Sequence, residues 1–281
     1  MKEFETFKIT ETQNLKQPTI YFWLKTNGFS ENYIKHLRTE NKIILNNKPS
    51  NVREKIKVGD TLKIASNPNK GTTIEKCEGN IEILYEDDDF LIVNKPHNLA
   101  CMPTRSHYLN NLGGQICNYL GNNFTLRVIN RLDKETAGIV VIAKNVIACN
   151  NITLEKEYHA ICHGHINTQL TINQPILTIQ ENGINQHKRV ISPNGKPSIT
   201  HVYPIKQYEN TTLIKLILET GRTHQIRVHL SHINHPLVGD TLYGTQNPSH
   251  TFLLLKKIKF VHFRTNQTHT IEVKYPSDWK L

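Results

Sequence analysis

Apolar positions in this chain fall mostly in short runs of Val, Ile and Leu cut by polar turns, a pattern that predicts strands more often than helices. Ile81 to Tyr85 and Phe90 to Val93 read as the strands of a hairpin, with Glu86-Asp87-Asp88-Asp89 as a solvated turn between them. Val128-Ile129 and the run Ile139 to Ala143 have the same character on either side of a charged turn. Thr153 to Cys162 alternates like a strand, and Leu213 to Leu218 reads as a buried one. Near the start, the apolar stretch Ile20 to Leu24 leads to Gly28, and Ser30 then has the side chain of an N-cap for a short helix from Glu31 to about Thr39. Ile34 and Leu37 of that helix face inward, while Lys35, His36 and Arg38 face out, with Lys42 just beyond. Ile43 to Leu45, the turn Asn46-Asn47 and the segment Lys57 to Ile64 read as strand, turn and closing strand. Leu112, Ile116 and Leu120 share one face of a further helix, expected to pack on the sheet that carries the charged turn. After Lys144 only a short helix fits before the next strand.

Residues 67–80 have no periodicity and many turn formers, so they read as a linker between a small unit, 13–66, and a large one, 81–281. The total of 281 residues suits two unequal domains. Lys and Arg number 34 against 24 Asp and Glu, a formal charge of +10, which favours an anionic partner. No basic helix carries a broad apolar face, so nucleic acid is favoured over a membrane surface. Met1 to Thr10 lacks the apolar segment of a signal peptide and no run reaches membrane-helix length, so a soluble cytoplasmic protein is expected. The five cysteines are far apart, without a C-x-x-C, and are expected to be reduced and mostly buried. The fifteen histidines include His159, His163 and His165, then His224, His229, His232 and His235. Neither group has a metal-ligand spacing, and both are expected on the surface or facing RNA. Gly113-Gly114 is an isolated pair that forms no phosphate-cradling loop.

In an extended turn, Arg131 and Asp133 leave the same face while Leu132 points to the core, which sets one positioned carboxylate beside a guanidinium. On its own, such a pair can simply cap and neutralise a turn. The whole stretch, Arg131-Leu132-Asp133-Lys134-Glu135-Thr136-Ala137-Gly138, closely resembles the signature of the ribosomal and transfer-RNA pseudouridine synthases of the RluA group. The resemblance continues in Asn94-Lys95-Pro96 with Leu99 and Pro103, and in Lys156-x-Tyr158-x-Ala160. It extends through Thr220-Gly221-Arg222-Thr223-His224-Gln225-Ile226-Arg227-Val228-His229-Leu230 to the block His235 to Gly244. Two departures stand out: the helix before the tyrosine strand is short, and Leu253-Leu254-Leu255 replaces the family's Leu-His-Ala, a change expected to affect packing rather than chemistry. The small N-terminal unit resembles the RNA-binding module named after ribosomal small-subunit protein four.

These resemblances imply an α+β protein with a mixed, largely antiparallel sheet and a small α/β RNA-binding module in front of it. They imply isomerisation of uridine to pseudouridine in structured RNA, with ribosomal RNA favoured and transfer RNA as the alternative, and no cofactor or metal. Asp133 would be the catalytic carboxylate, Tyr158 would pack against the flipped uracil and relay the proton from carbon five, and Arg227 would bind the Asp133 carboxylate through two hydrogen bonds. Arg131 would fill the space that the flipped base leaves, while Lys134, Lys196, Arg222 and His224, together with Lys35, Arg38 and Lys42, would contact RNA. Nothing demands a dimer, so a monomer is expected. Two other classes fit parts of the chain: a catalytically silent RNA-binding protein, and a metal-dependent nuclease or phosphoesterase built on the acidic and histidine clusters. The intact set of Arg131, Asp133, Tyr158 and Arg227 speaks against the first, and the missing metal-ligand spacing against the second.

Overall fold

The computed structural model describes residues 4–65, 74–104, 108–121, 125–181, 184–244 and 250–279. Residues 67–73 of the expected 67–80 linker lie outside them.

The N-terminal elements are β1 (Phe4–Lys8), α1 (Ile20–Thr26), α2 (Glu31–Thr39), β2 (Ile43–Leu45), β3 (Lys48–Pro49) and β4 (Thr61–Ala65). Ser30 caps α2 by accepting a hydrogen bond from the Tyr33 N–H, as its side chain and position predict. Ile34 and Leu37 are buried together with Tyr33, and Lys35, His36 and Arg38 are exposed. The four strands form an antiparallel sheet in the order β1-β4-β2-β3. β1 lies ahead of the residue-13 start expected from sequence. Its Phe-Glu-Thr-Phe-Lys run buries Glu5 rather than an aliphatic residue, and Glu5 is held by the Arg264 guanidinium at 2.9 Å.

The larger body contains β5 (Glu82–Glu86), β6 (Phe90–Lys95), α3 (Leu112–Leu120), β7 (Arg127–Val128), β8 (Ala137–Ala143), α4 (Val146–Asn150) and β9 (Glu155–His163). There follow β10 (Leu170–Asn173), β11 (Ile176–Glu181), β12 (Ile184–Ile191), β13 (Ile199–Gln207), β14 (Thr211–Leu218), α5 (Gln225–His232), β15 (Leu253–Val261) and β16 (Thr268–Glu272). The main sheet runs β10-β13-β14-β9-β15-β8-β6-β5, with β16 on β15 and β7 on β8. Its neighbours pair antiparallel except β15 with β8, so the mixed, largely antiparallel α+β architecture is as expected. β11 and β12 form a separate two-stranded arm. β8 is buried along its whole length, and α3 buries Leu112 and Ile116.

One transverse row of this sheet sets the geometry of the site. Tyr158 on β9 pairs with Leu216 on β14 and with Leu255 on β15, and Leu255 pairs on its other side with Gly138 at the start of β8. Gly138 has φ +115°, and a Cβ there would sit 2.4 Å from the Leu255 carbonyl oxygen, so only glycine lets the charged turn run into β8 at this close approach.

The acidic turn is solvated only in part: Glu86 and Asp88 are exposed. Asp89 is buried and gripped by Arg264 at 2.6 and 2.9 Å, while Asn145 donates to it at 2.8 Å. Asp87 accepts from the backbone N–H groups of Asp89 and Phe90, so the turn's first and third aspartates bond inward while Asp88 faces outward as expected. Val146 and Ile147 of α4 are buried in the N-terminal hydrophobic cluster, which joins the two bodies together with the Arg264–Glu5 pair. No helix among the described residues is long and apolar enough to cross a membrane. The five cysteines are free; three are buried and two half-buried.

Candidate active site

The turn between β7 and β8 is held by its own side chains and by the segment 95–101. Asn130 is buried and takes the place of a strand neighbour: its amide donates to Ile139 O and its oxygen accepts from Val141 N–H, both at 2.9 Å. Lys95 is fully buried, and its ammonium donates to Pro96 O, Leu99 O and Lys134 O at 2.9, 2.8 and 3.1 Å. Burial pushes its pKa down to about 8. His97 Nδ1 donates to Glu135 O at 2.8 Å, and the Leu132 N–H points to Cys101 Sγ at 3.3 Å. As predicted, Leu132 is buried while Arg131 is exposed and Asp133 half-exposed.

Opposite this turn, the register of β9, β14 and β15 places Tyr158, Leu218 and Leu253, and the loop after β14 leads into α5. The result is a cleft of about 430 Å³. Arg131, Asp133, Tyr158, Arg222, His224 and Arg227 all line it, joined by Lys156 and by Leu218 and Leu253. Four chain segments separated by tens of residues therefore converge on one opening. The leucine triplet divides its roles: Leu254 and Leu255 pack in the core, and Leu253 forms part of the cleft wall.

The partner of Arg227 differs from the expected one. Its Nε and Nη2 donate to Asp240 at 2.7 and 2.8 Å, in a pair whose side chains are 4% and 0% exposed. Nη1 faces Glu135 at 3.5 Å. The bidentate carboxylate is thus Asp240 rather than Asp133, because the Gly239-Asp240 turn brings its carboxylate onto the inner face of α5. Burial opposes the charge on Arg227, but Asp240, with Asp133 and Glu135 beyond it, holds the arginine pKa above its usual value. Burial likewise works against the Asp240 carboxylate, and the Arg227 bonds outweigh it and lower the pKa.

Among the described residues, His224 is the side chain nearest Asp133 by a polar contact, Nε2 to Oδ2 at 3.8 Å. It has left-handed backbone, φ 58°, and its Nδ1 lies 3.0 Å from the Tyr243 hydroxyl. Tyr243 also accepts from the Arg189 backbone N–H at 2.7 Å and lays its ring 5.3 Å from the Arg227 guanidinium. Burial lowers the His224 pKa, with the Asp133 charge opposing, so the imidazole is neutral at pH 7. Burial, reinforced by the Asp133 charge, raises the Tyr158 pKa and keeps that phenol protonated.

Not every expected contact residue reaches this cleft. Lys134 does not line it, and its backbone carbonyl serves Lys95 instead. Lys196 lies in an adjoining cleft with Arg189 and Arg222. Lys35 and Arg38 are on α2, and the Lys42 ammonium sits 5.7 Å over the Phe4 ring. The histidines divide. His229 is buried and bonded to Thr200 and Gln174, and His159 is buried against Tyr275 and Glu157, so these two are core groups rather than surface ones. Sequence reading missed the holding roles of Asn130, His97, Cys101 and Tyr243, although Asn130 and Tyr243 fall inside or beside the family motifs. Among the described residues, no group of three metal-ligating side chains could hold an ion.

The carboxylate, buried tyrosine and anchored arginine meet in one cleft of a mixed sheet, and the chain belongs to the RNA pseudouridylate synthase family, whose model matches residues 89–232. Members of that family isomerise uridine to pseudouridine. The chain is 33% identical over 234 residues to the ribosomal large subunit pseudouridine synthase D of Salmonella typhimurium, covering 77% of this chain and 69% of the relative. It is 34% identical over 240 residues to an uncharacterized RNA pseudouridine synthase of Bacillus subtilis, covering 80% and 78%. Its fold matches that of the human RNA pseudouridylate synthase domain containing 1 with a TM-score of 0.57 and 26% identity, over 69% of this chain and 83% of that one.

Proposed function

We propose that this enzyme converts specific uridines of ribosomal RNA to pseudouridine, with Asp133 as the catalytic carboxylate. The observation that carries this reading is the convergence of Asp133, Tyr158 and Arg227 on one cleft. Similarity to bacterial synthases of the large ribosomal subunit favours ribosomal over transfer RNA.

The reaction breaks the ribose–uracil bond, turns the base and rejoins ribose to carbon five, with no net redox change. A stacked uracil must first leave its helix, at a cost of a few kcal/mol. Arg131, exposed at the mouth of the cleft, suits the vacated space, since a planar guanidinium stacks as a base does. Tyr158 offers a flat, protonated phenol against which the extruded uracil packs. We assign it the relay of the proton lost from carbon five. Asp133 faces the same space from the opposite wall. Arg227, fixed by Asp240, supplies a positive field at the carboxylate without occupying it. His224 presents a neutral ring beside Asp133, and Arg222 and Lys196 offer charges for flanking phosphates.

In this reading the N-terminal four-stranded unit is an RNA-binding module, the main body is the catalytic domain, and the protein works as a cytoplasmic monomer. The test is a carbodiimide map of pseudouridine in total RNA from cells with the gene intact, deleted or carrying Asp133→Asn. Loss of the same one or few ribosomal marks in both altered strains is the expected result. An unchanged map with the protein expressed would overturn the assignment, and losses confined to transfer RNA would overturn the substrate.

A further inference from the structure

A second opening lies between the two bodies, and the active-site reading does not use it. This groove, about 670 Å³, has Tyr33, Lys35 and His36 of α2 on one wall and Arg127, Cys149 and Asn150 on the other. Its lining residues include two fixed cations and a histidine and no carboxylate. Its width is set by the docking of Val146 and Ile147 into the N-terminal core and by Arg264 bridging Glu5 and Asp89.

Arg127 is the informative residue. Its guanidinium is partly buried, donates to Thr125 O at 3.0 Å and pairs with no carboxylate among the described residues. Burial lowers its pKa from the usual arginine value, and only Cys149 and Tyr33 act the other way. A sheltered cation of this kind is costly unless an anion completes it. Asn150 on the same wall has a buried amide nitrogen without a hydrogen-bond partner, a donor that also lacks its acceptor. Arg127 and Val128 are the two residues of β7, and Val128 lines the Asp133 cleft, so one short strand is the wall between groove and cleft.

We propose that the groove is a second RNA subsite, in which Arg127 and Lys35 hold a backbone phosphate of the strand whose target uridine enters the Asp133 cleft. The inference rests on RNA being the substrate. It gives the interface between the two bodies a direct part in binding, since the strand is gripped at two points on either side of β7 and the docked module fixes their separation. Arg38 and Lys42 do not line this groove, so the basic side of α2 contributes through Lys35 and His36.

The test uses the full chain and transcribed large-subunit ribosomal RNA, with binding measured across roughly 50 to 200 mM salt. Arg127→Gln and Lys35→Gln should each weaken binding about three- to tenfold and reduce the slope of log affinity against log salt by roughly 0.7–0.9, the signature of one lost phosphate contact. Arg127→Lys should keep the slope. Asp133→Asn should abolish pseudouridine formation but bind with the wild-type slope, which separates loss of the groove from loss of the chemistry. Wild-type affinity and slope in both glutamine variants would overturn the proposal. If Arg127→Gln fails to fold, the exposed Lys35→Gln decides alone, and an unchanged slope there is equally fatal. Wild-type protein that neither binds this RNA nor modifies it overturns the substrate reading, and the groove assignment falls with it.

Discussion

Replacing Asp240 by Asn removes the partner of a buried guanidinium while preserving shape. The two side chains are 4% and 0% exposed, and the pair is bidentate. Leaving one charge of such a pair uncompensated costs about 3–5 kcal/mol. The lower end applies here, because Asp240 Oδ1 also accepts from the Leu242 and Tyr243 N–H groups at 3.0 and 3.1 Å, and an Asn oxygen can keep those bonds. At about 2–4 °C per kcal/mol for a protein of this order of size, a loss near 3 kcal/mol lowers Tm by roughly 6–12 °C. The Asp240 carboxyl has its pKa lowered in the folded state. Its contribution is therefore complete above the unfolded pKa of about 4 and fades as pH falls through the folded value, so the gap between wild type and variant must narrow in acid. Urea unfolding followed by tryptophan fluorescence at several pH values measures this directly. The double variant Arg227→Met/Asp240→Leu should recover much of the stability without recovering activity, since an apolar pair has no buried charge to desolvate. A gap below about 1 kcal/mol at pH 7, or one that widens in acid, would refute the reasoning.

Three further outcomes follow from the site. Asn130→Ala strands the Val141 N–H and Ile139 C=O that the amide satisfies, and should cost roughly 2–5 kcal/mol in urea unfolding; a loss under about 0.5 kcal/mol would show that the amide is not the clamp. Proton NMR of His224 should give a titration midpoint below the usual 6.5, and Asp133→Asn should move it lower still by removing the charge that opposes the shift; a midpoint above 6.5 contradicts the assigned neutral ring. For Lys95, whose folded pKa is about 8 against about 10.4 unfolded, the charge is unfavourable to folding below pH 8 and is progressively released above it. The stability of wild type relative to Lys95→Met should therefore rise between about pH 8 and 10, and a flat difference would exclude a buried ammonium at this position.

What was legible in the sequence follows from how local its causes are. The α2 cap and faces, the hairpin of β5 and β6, the α3 face and the strand character of β8 and β14 depend on neighbours within a few residues, and the chain carries those signals openly. The cleft was legible through its motifs, because Arg131, Asp133, Tyr158 and Arg227 each stand in one of them and all line it. The partnerships were not. That Arg227 meets Asp240, that Asp89 meets Arg264, and that His229 is buried against Thr200 are facts of tertiary register. A charged or polar residue looks solvated until the partner that satisfies it is known, and here those partners are 13, 175 and 29 residues away. β1 escaped for the same reason, since its buried Glu5 is compensated by Arg264 from the far end of the chain.

The division of labour around Asp133 bears on how such a site works. Had Arg227 gripped Asp133 through two hydrogen bonds, the carboxylate would be rigid, but its lone pairs would be spent on the clamp. Instead the guanidinium commits its strong bonds to Asp240, and among the described residues no hydrogen bond reaches the Asp133 side-chain oxygens; the nearest polar contact is His224 at 3.8 Å. Orientation comes from the backbone on either side. Lys95 holds the Lys134 carbonyl, His97 the Glu135 carbonyl, Cys101 the Leu132 N–H, and the Thr136 N–H closes back on Asp133 O at 3.1 Å. A carboxylate positioned through its main chain keeps both oxygens available to a substrate while a fixed positive charge stands behind it, so the cost of aligning the group is met in folding rather than during reaction. In the proposed role this explains why the segment 95–101, which does not line the cleft, makes so many contacts to the turn that does.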